Sequence, residues 1–192
     1  MLFLPSFFSQ IRPGKFIVIL MAVWLFVSLP AALPASGQEI SPGQVKAAFL
    51  YNFAKFVEWP PGVFADHRAP VTLCILKDEP LAAAVMTLLG KEVQGRKIVV
   101  KQGLSLEEMK RCQIFFASAS QKPGLLEIMR VLRTCPILTV TDEVDDFAKL
   151  GVIINLVRQE DKIRFAISNE NAGNCGLKIS SQLLKLAILA SR

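Results

Sequence analysis

The side chains with the strongest chemistry in this chain are four cysteines, one histidine and one acidic cluster. Cys74, Cys112, Cys135 and Cys175 offer thiols, which hold soft metals, pair as disulfides or act as nucleophiles. No two of them stand closer than 23 positions, and the sole histidine, His67, lies in a polar loop between prolines. No zinc-ligand spacing results, so no metal site is expected. His67 is the one candidate base for a Ser/His or Cys/His arrangement. Its loop setting reads as a solvated surface histidine. Asp142, Glu143, Asp145 and Asp146 follow an apolar run, the place where open α/β sheets receive ligands. Their spacing misses the calcium-loop pattern. They read as charge at the start of a short helix, where carboxylates complement the dipole. A G-x-S-x-G elbow and a glycine-rich phosphate loop are both missing. The expectation is a protein with no catalytic residues and no cofactor.

The chemistry of the thiols depends on the compartment. Residues 1–37 read as an export signal. Arg12 and Lys15 form its positive region, Phe16 to Val27 its apolar run, and Ala35-Ser36-Gly37 a cleavage site near Gly37, before Gln38. The rival is a retained anchor, since Phe16 to Ala35 reaches the roughly 20 residues of a membrane span. Pro30 and Pro34 shorten the helix that could form there. All four cysteines lie after the signal, in a chain that folds under oxidising conditions. An even count suggests two disulfides, and four cysteines allow three connectivities. Unpaired buried thiols are the alternative.

Composition excludes other classes. The 192 residues suit one ordinary domain, and the apolar share of 52% is raised by the leader. Removing Arg12 and Lys15 from the 22 cations leaves 20 against 16 acids, a mild +4. No basic stripe interleaved with aromatics appears, so no nucleic acid is expected as a partner.

The elements that must position these groups start at Lys46 to Pro61, KAAFLYNFAKFVEWPP. Val45, Phe49, Phe53 and Phe56 fall on one line of a helix, widened by Leu50, Ala54 and Val57. Ser41-Pro42-Gly43-Gln44 writes the start as N-cap, N1 proline and capping-box glutamine. Pro60 biases Trp59 away from helical angles and stops the helix over Lys46–Trp59. A membrane-surface helix is disfavoured, because its polar face carries few cations.

Beyond the loop at residues 60–70, strands and helices alternate. Val71–Leu76, Lys97–Lys101, Cys112–Ser118 and Pro136–Thr141 read as four strands. Glu79–Leu89, Leu104–Lys110 and Pro123–Arg133 read as the helices between them, the second capped by Ser105. Asp142–Leu150 reads as a short acidic helix or turn. Val152–Arg158 and Lys162–Ser168 read as an antiparallel hairpin around Gln159-Glu160-Asp161. Ser180–Ala190 reads as a closing helix, packed with the first one on a single face. The predicted fold is an α/β, three-layer α/β/α sandwich with a mostly parallel central sheet and a C-terminal antiparallel hairpin. Residues 38–192 form one domain in this reading.

Several of these segments together resemble the YfiR family of exported bacterial proteins. The resemblance rests on KAAFLYNFAKFVEWP, VTLCIL, GRKIVV, RCQIFFAS, ILTVTD, GVIINLV, IRFAISNENA and LKISSQLLKLA, in that order and spacing. It implies a periplasmic, non-catalytic regulator that binds and restrains the periplasmic part of a membrane signalling protein. A diguanylate cyclase is the partner implied, with effects on cyclic di-GMP and biofilm. The alternative is a periplasmic small-ligand binding protein. The resemblance also implies a bridge between Cys74 and Cys112. The family's second bridge spans the hairpin region, where this chain has no cysteine. Cys135 and Cys175 then remain as the other pair, and Cys112–Cys135 stays open as a rival. The reading leaves room for a homo-oligomer and names no partner-binding residues.

Overall fold

The computed structural model describes residues 40–76, 79–118 and 122–188. The export signal expected over residues 1–37 lies outside them. From Ile40 to Arg192 the chain belongs to one compact unit.

Helix α1 (Pro42–Phe56) opens it. Both capping-box bonds are made: Gln44 N–H donates to Ser41 Oγ (3.2 Å), and Ser41 N–H donates to Gln44 Oε1 (2.8 Å). The helix ends three residues before the predicted Trp59. Val57–Glu58 form a short strand, β1, paired antiparallel with β9 (Lys178–Ile179). The β-branched Val57 and the proline constraint farther on favour extension, and a distant partner strand collects it.

The buried stripe of α1 is also rotated from the one predicted. Ala47, Leu50, Phe53 and Ala54 are buried, with Val57 beyond them, while Val45, Phe49 and Phe56 are half-buried. Only Phe53 of the three phenylalanines is fully enclosed, at 0% exposure. Tyr51 points to a partner, its hydroxyl donating to the Glu92 carbonyl (3.1 Å).

Seven strands form the main sheet. They are β2 (Val71–Ile75), β3 (Glu92–Val93), β4 (Arg96–Gln102), β5 (Ile114–Ser118), β6 (Leu138–Asp142), β7 (Ile154–Gln159) and β8 (Lys162–Ile167). Their order is β3-β4-β2-β5-β6-β7-β8. The five strands from β4 to β7 run parallel, and β3 and β8 lie antiparallel at the two edges. That is the doubly wound order, with the reversal of winding at β2 and β5.

One face of the sheet, with Leu73, Phe116, Val140 and Leu156, packs against α1 and against α2 (Glu79–Val85). The predicted helix there stops at Val85, and Met86–Leu88 tighten into a 3-10 turn. Ala172 of α5 (Asn169–Asn174) and Leu183 of α6 (Ser181–Leu186) complete that layer. The other face, with Cys74, Phe115 and Ala117, is covered by α3 (Leu106–Met109) and α4 (Lys122–Leu132), through Met109, Leu125, Met129 and Leu132. The result is the expected three-layer α/β sandwich. The alternation of inward residues along each strand divides it into two cores.

Candidate functional site

Cys74 and Cys112 form a disulfide with Cα atoms 6.0 Å apart. The sulfurs do not meet across level strand positions, since Cys74 is level with Phe115. Cys112 instead lies in the turn that leaves α3, its N–H donating to the Met109 carbonyl (3.0 Å). That turn sits over the same sheet face as Cys74, in one apolar cluster. The bridge ties the turn after α3 to β2, an interior strand of the sheet.

The expected Cys135–Cys175 pair is not formed, and both are free thiols. Each is held by a different carbonyl at the C-terminal end of α4. Cys175 Sγ donates to Arg133 O (2.9 Å), and Cys135 Sγ to Val131 O (3.5 Å). Burial pushes the Cys175 thiol above its ordinary pKa, and the neighbouring Cys135 adds to the shift. Cys112 is already bonded to Cys74, so the rival Cys112–Cys135 bridge is not formed either.

At the acidic cluster the turn is found and not the helix start. No helix starts there: Asp142 ends β6, and residues 145–151 are turns. The carboxylates are used in ion pairs rather than against a helix dipole. Asp142 accepts from Lys46 of α1 (2.5 Å), Asp146 from Lys149 (3.1 Å), and Glu143 lies 3.9 Å from Arg158. Glu143 and Asp146 take positive φ, which suits tight turns and not a helix. The Asp142–Lys46 pair is mostly buried and joins α1 to the carboxyl end of β6, with both charges taken from water together.

His67 is exposed, in a loop held at its base by Arg96, whose guanidinium donates to the carbonyls of Asp66 (2.7 Å) and Ala69 (2.8 Å). Among the described residues no three of His, Cys, Asp and Glu converge as a metal site would need.

What the sequence reading missed is a groove of about 650 Å³ between the first half of α1, the hairpin β7–β8 and the end of α6. Val45 and Phe49 of α1 and Phe165 of β8 supply its apolar wall. Phe49 and Phe165 meet edge-on, with centroids 5.6 Å apart. Ile40 and Leu186 lie at the mouth, 70% and 66% exposed, among the few large apolar side chains left to water. Arg158, Lys162 and Arg164 stand along the rim against one acid, Asp161. The rotation of the α1 stripe makes this groove, because it turns Val45 and Phe49 out of the core. The cations come from a hairpin whose turn, Glu160-Asp161, takes positive φ at both residues, the signature of a tight two-residue connection. No signal of local sequence joins these three segments.

Known proteins bear on the whole arrangement. No curated protein matches the chain. A crystal structure of a conserved domain protein from Vibrio cholerae O1 biovar El Tor strain N16961 superposes with a TM-score of 0.52 at 10% identity. The match covers 79% of this chain and 60% of that one, and it shows a shared fold. The sequence profile of the YfiR/HmsC-like family matches residues 43–188, from the first turn of α1 to the residue bridged to β8. The protein therefore belongs to the YfiR/HmsC-like family.

Proposed function

We propose that the protein is a periplasmic, non-catalytic regulator that binds and restrains a membrane-bound diguanylate cyclase, lowering cyclic di-GMP and biofilm formation. The observation that carries this reading is the family match over residues 43–188. Two further features support it. The sequence before Gln38 has the order of an export signal. A disulfide such as Cys74–Cys112 persists in oxidising compartments. The test is genetic and then biochemical. Deleting the gene should raise cellular cyclic di-GMP and biofilm, and an exported copy should restore both while a leaderless copy should not. Unchanged cyclic di-GMP, or rescue by the leaderless copy, sinks the reading.

A second reading, a periplasmic small-ligand binding protein, is favoured by the groove. Its volume of about 650 Å³ falls in the usual range for ligand sites. A bound metabolite in native mass spectra of periplasmic material, together with unchanged cyclic di-GMP in the deletion, would select it.

A further inference from the structure

We infer that the groove beside β8 docks an extended, acidic and apolar peptide segment of a partner protein, which adds a strand to the free edge of the sheet. The inference rests on the regulatory reading above and names the surface and chemistry it would use.

The backbone of β8 sets the geometry. Ser168 N–H donates to Ile153 O, so the even-numbered residues from 162 to 168 turn their backbone groups toward β7. Ile163 and Phe165 turn theirs outward. Among the described residues, the outer side is used at Phe165, whose carbonyl accepts from Ile188 N–H (2.9 Å). The chain arrives there in parallel, with Ile188 beside Ala166, so it covers the far end of the edge, and among the described residues nothing pairs with the outward groups of Ile163. An unpaired edge beside apolar pockets is the arrangement that strand addition uses: backbone bonds give affinity and alternate side chains fill the pockets.

The pockets and charges define the occupant. Val45, Phe49 and Phe165 accept apolar side chains along one side. Lys162 and Arg164 form no ion pair among the described residues, and Arg158 has only the 3.9 Å contact with Glu143. Three cations against Asp161 select a segment rich in Asp or Glu. The same cations oppose a second copy of this chain, whose edge would set like charges against like.

The test uses the protein as the cell accumulates it. The probe is a fluorescein-labelled peptide of alternating valine and glutamate, roughly 8 residues long, a strand with its flanks. A valine–lysine peptide of equal length is the control. The acidic peptide should bind saturably, and the basic one should not. Arg164→Glu should weaken binding at least about tenfold through charge. Ile163→Pro should abolish it by removing the outward N–H, at an edge position where proline is compatible with the sheet. Lys162→Glu, fully on the surface, serves if either variant melts early. Equal binding of the two peptides, or binding indifferent to these variants, overturns the inference. So does saturable binding of laurate without peptide binding, which assigns the groove to an aliphatic carboxylate. Self-association that disappears in Ile163→Pro assigns the edge to a second copy and overturns it as well. In cells, a cyclase whose capture survives both variants overturns the groove and leaves the regulator standing. Acidic-peptide binding lost in the variants, with no cyclase captured by the unaltered protein, supports the groove and removes the regulator.

Discussion

The two edges of the main sheet solve one problem in opposite ways. At one edge, β3 is two residues long and closes with Gln94-Gly95, both at positive φ. Its backbone is engaged from outside by α1, since Tyr51 donates to Glu92 O. Gln94 then reaches back, its amide donating to the carbonyls of Ala54 (3.0 Å) and Val57 (2.8 Å) at the end of that helix. At the other edge, β8 is six residues long, and among the described residues the outward backbone groups of Ile163 are unpaired beside an apolar groove. Edge strands are commonly blunted by brevity or by charge. Here the β3 edge is short and tied, whereas the β8 edge is long, bridged among the described residues at Ala166 by Ile188, and flanked by cations. Among the described residues the first edge is tied by α1, and the second is bridged at its far end.

The largest effect should come from breaking what holds β8 in place. Phe53 is fully buried and meets Phe165 edge-on at 5.1 Å, while stacking on Phe49 at 5.7 Å. Phe53→Ala removes a ring at the junction of α1 and β8, and it should cost about 3–5 kcal/mol in denaturant melts, as large-to-small core changes do. A loss under ~1 kcal/mol would show that the hairpin is held elsewhere.

The comparison also shows what the sequence could reveal. Apolar runs such as Val71–Leu76 and the repeated strand–helix alternation announced the layers and the mostly parallel sheet, because burial on both faces leaves a continuous signal. Two-residue strands leave none. β1 and β9 exist because each meets a partner from far along the chain, β3 because a tight turn folds it onto β4, and no periodicity develops over two positions. The helix α5 is a single capped turn and a half, from Ser168 onward, and was likewise unread. The acidic residues 142–146 were legible as a cluster but not as ion pairs, since Lys46 stands 96 positions from Asp142. The groove was hidden for the same reason. A helix wheel places Val45 and Phe49 on an apolar line, yet only the packing of α1 on β8 decides which flank of that line is core. Likewise, four cysteines could not reveal that Cys135 and Cys175 would each find a carbonyl instead of one another.

At the β3 edge the weak point is Gln94. Gln94→Ala strips a donor from the Ala54 and Val57 carbonyls at the end of α1, where helix carbonyls lack intrahelical partners. The expected loss is about 1–2 kcal/mol, the cost of partly buried acceptors left unpaired. Hydrogen exchange should rise at Val93 and Arg96 while the β7–β8 amides keep their protection. Faster exchange in both regions would mean that the edges are not independent. Ser41→Ala should do the complementary thing. It removes the cap at the start of α1, beside the groove, for about 1 kcal/mol. Its exchange signature should appear at Val45 and Phe49 and spare the β3 turn.

The smallest change in stability should accompany the clearest difference between the edges. Lys162 and Arg164 are exposed or nearly so, and among the described residues neither takes part in an ion pair. Replacing both with threonine, a good strand former, should leave unfolding free energy within about 0.5 kcal/mol, as surface substitutions usually do. What changes is the repulsion between two copies of the edge. With Ile163 presenting its outward N–H and C=O and the groove still apolar, the double variant should self-associate as concentration rises, measured by sedimentation velocity. Glu92→Thr at the opposite edge should stay at the oligomeric state of the unaltered protein, since that strand has two residues and its carbonyl is already taken by Tyr51. If the double variant sediments like the unaltered protein at every concentration, charge is not what keeps the β8 edge free. The edge would then be closed by shape, through Leu186 and the bridge at Ile188, and the contrast with β3 would be one of degree.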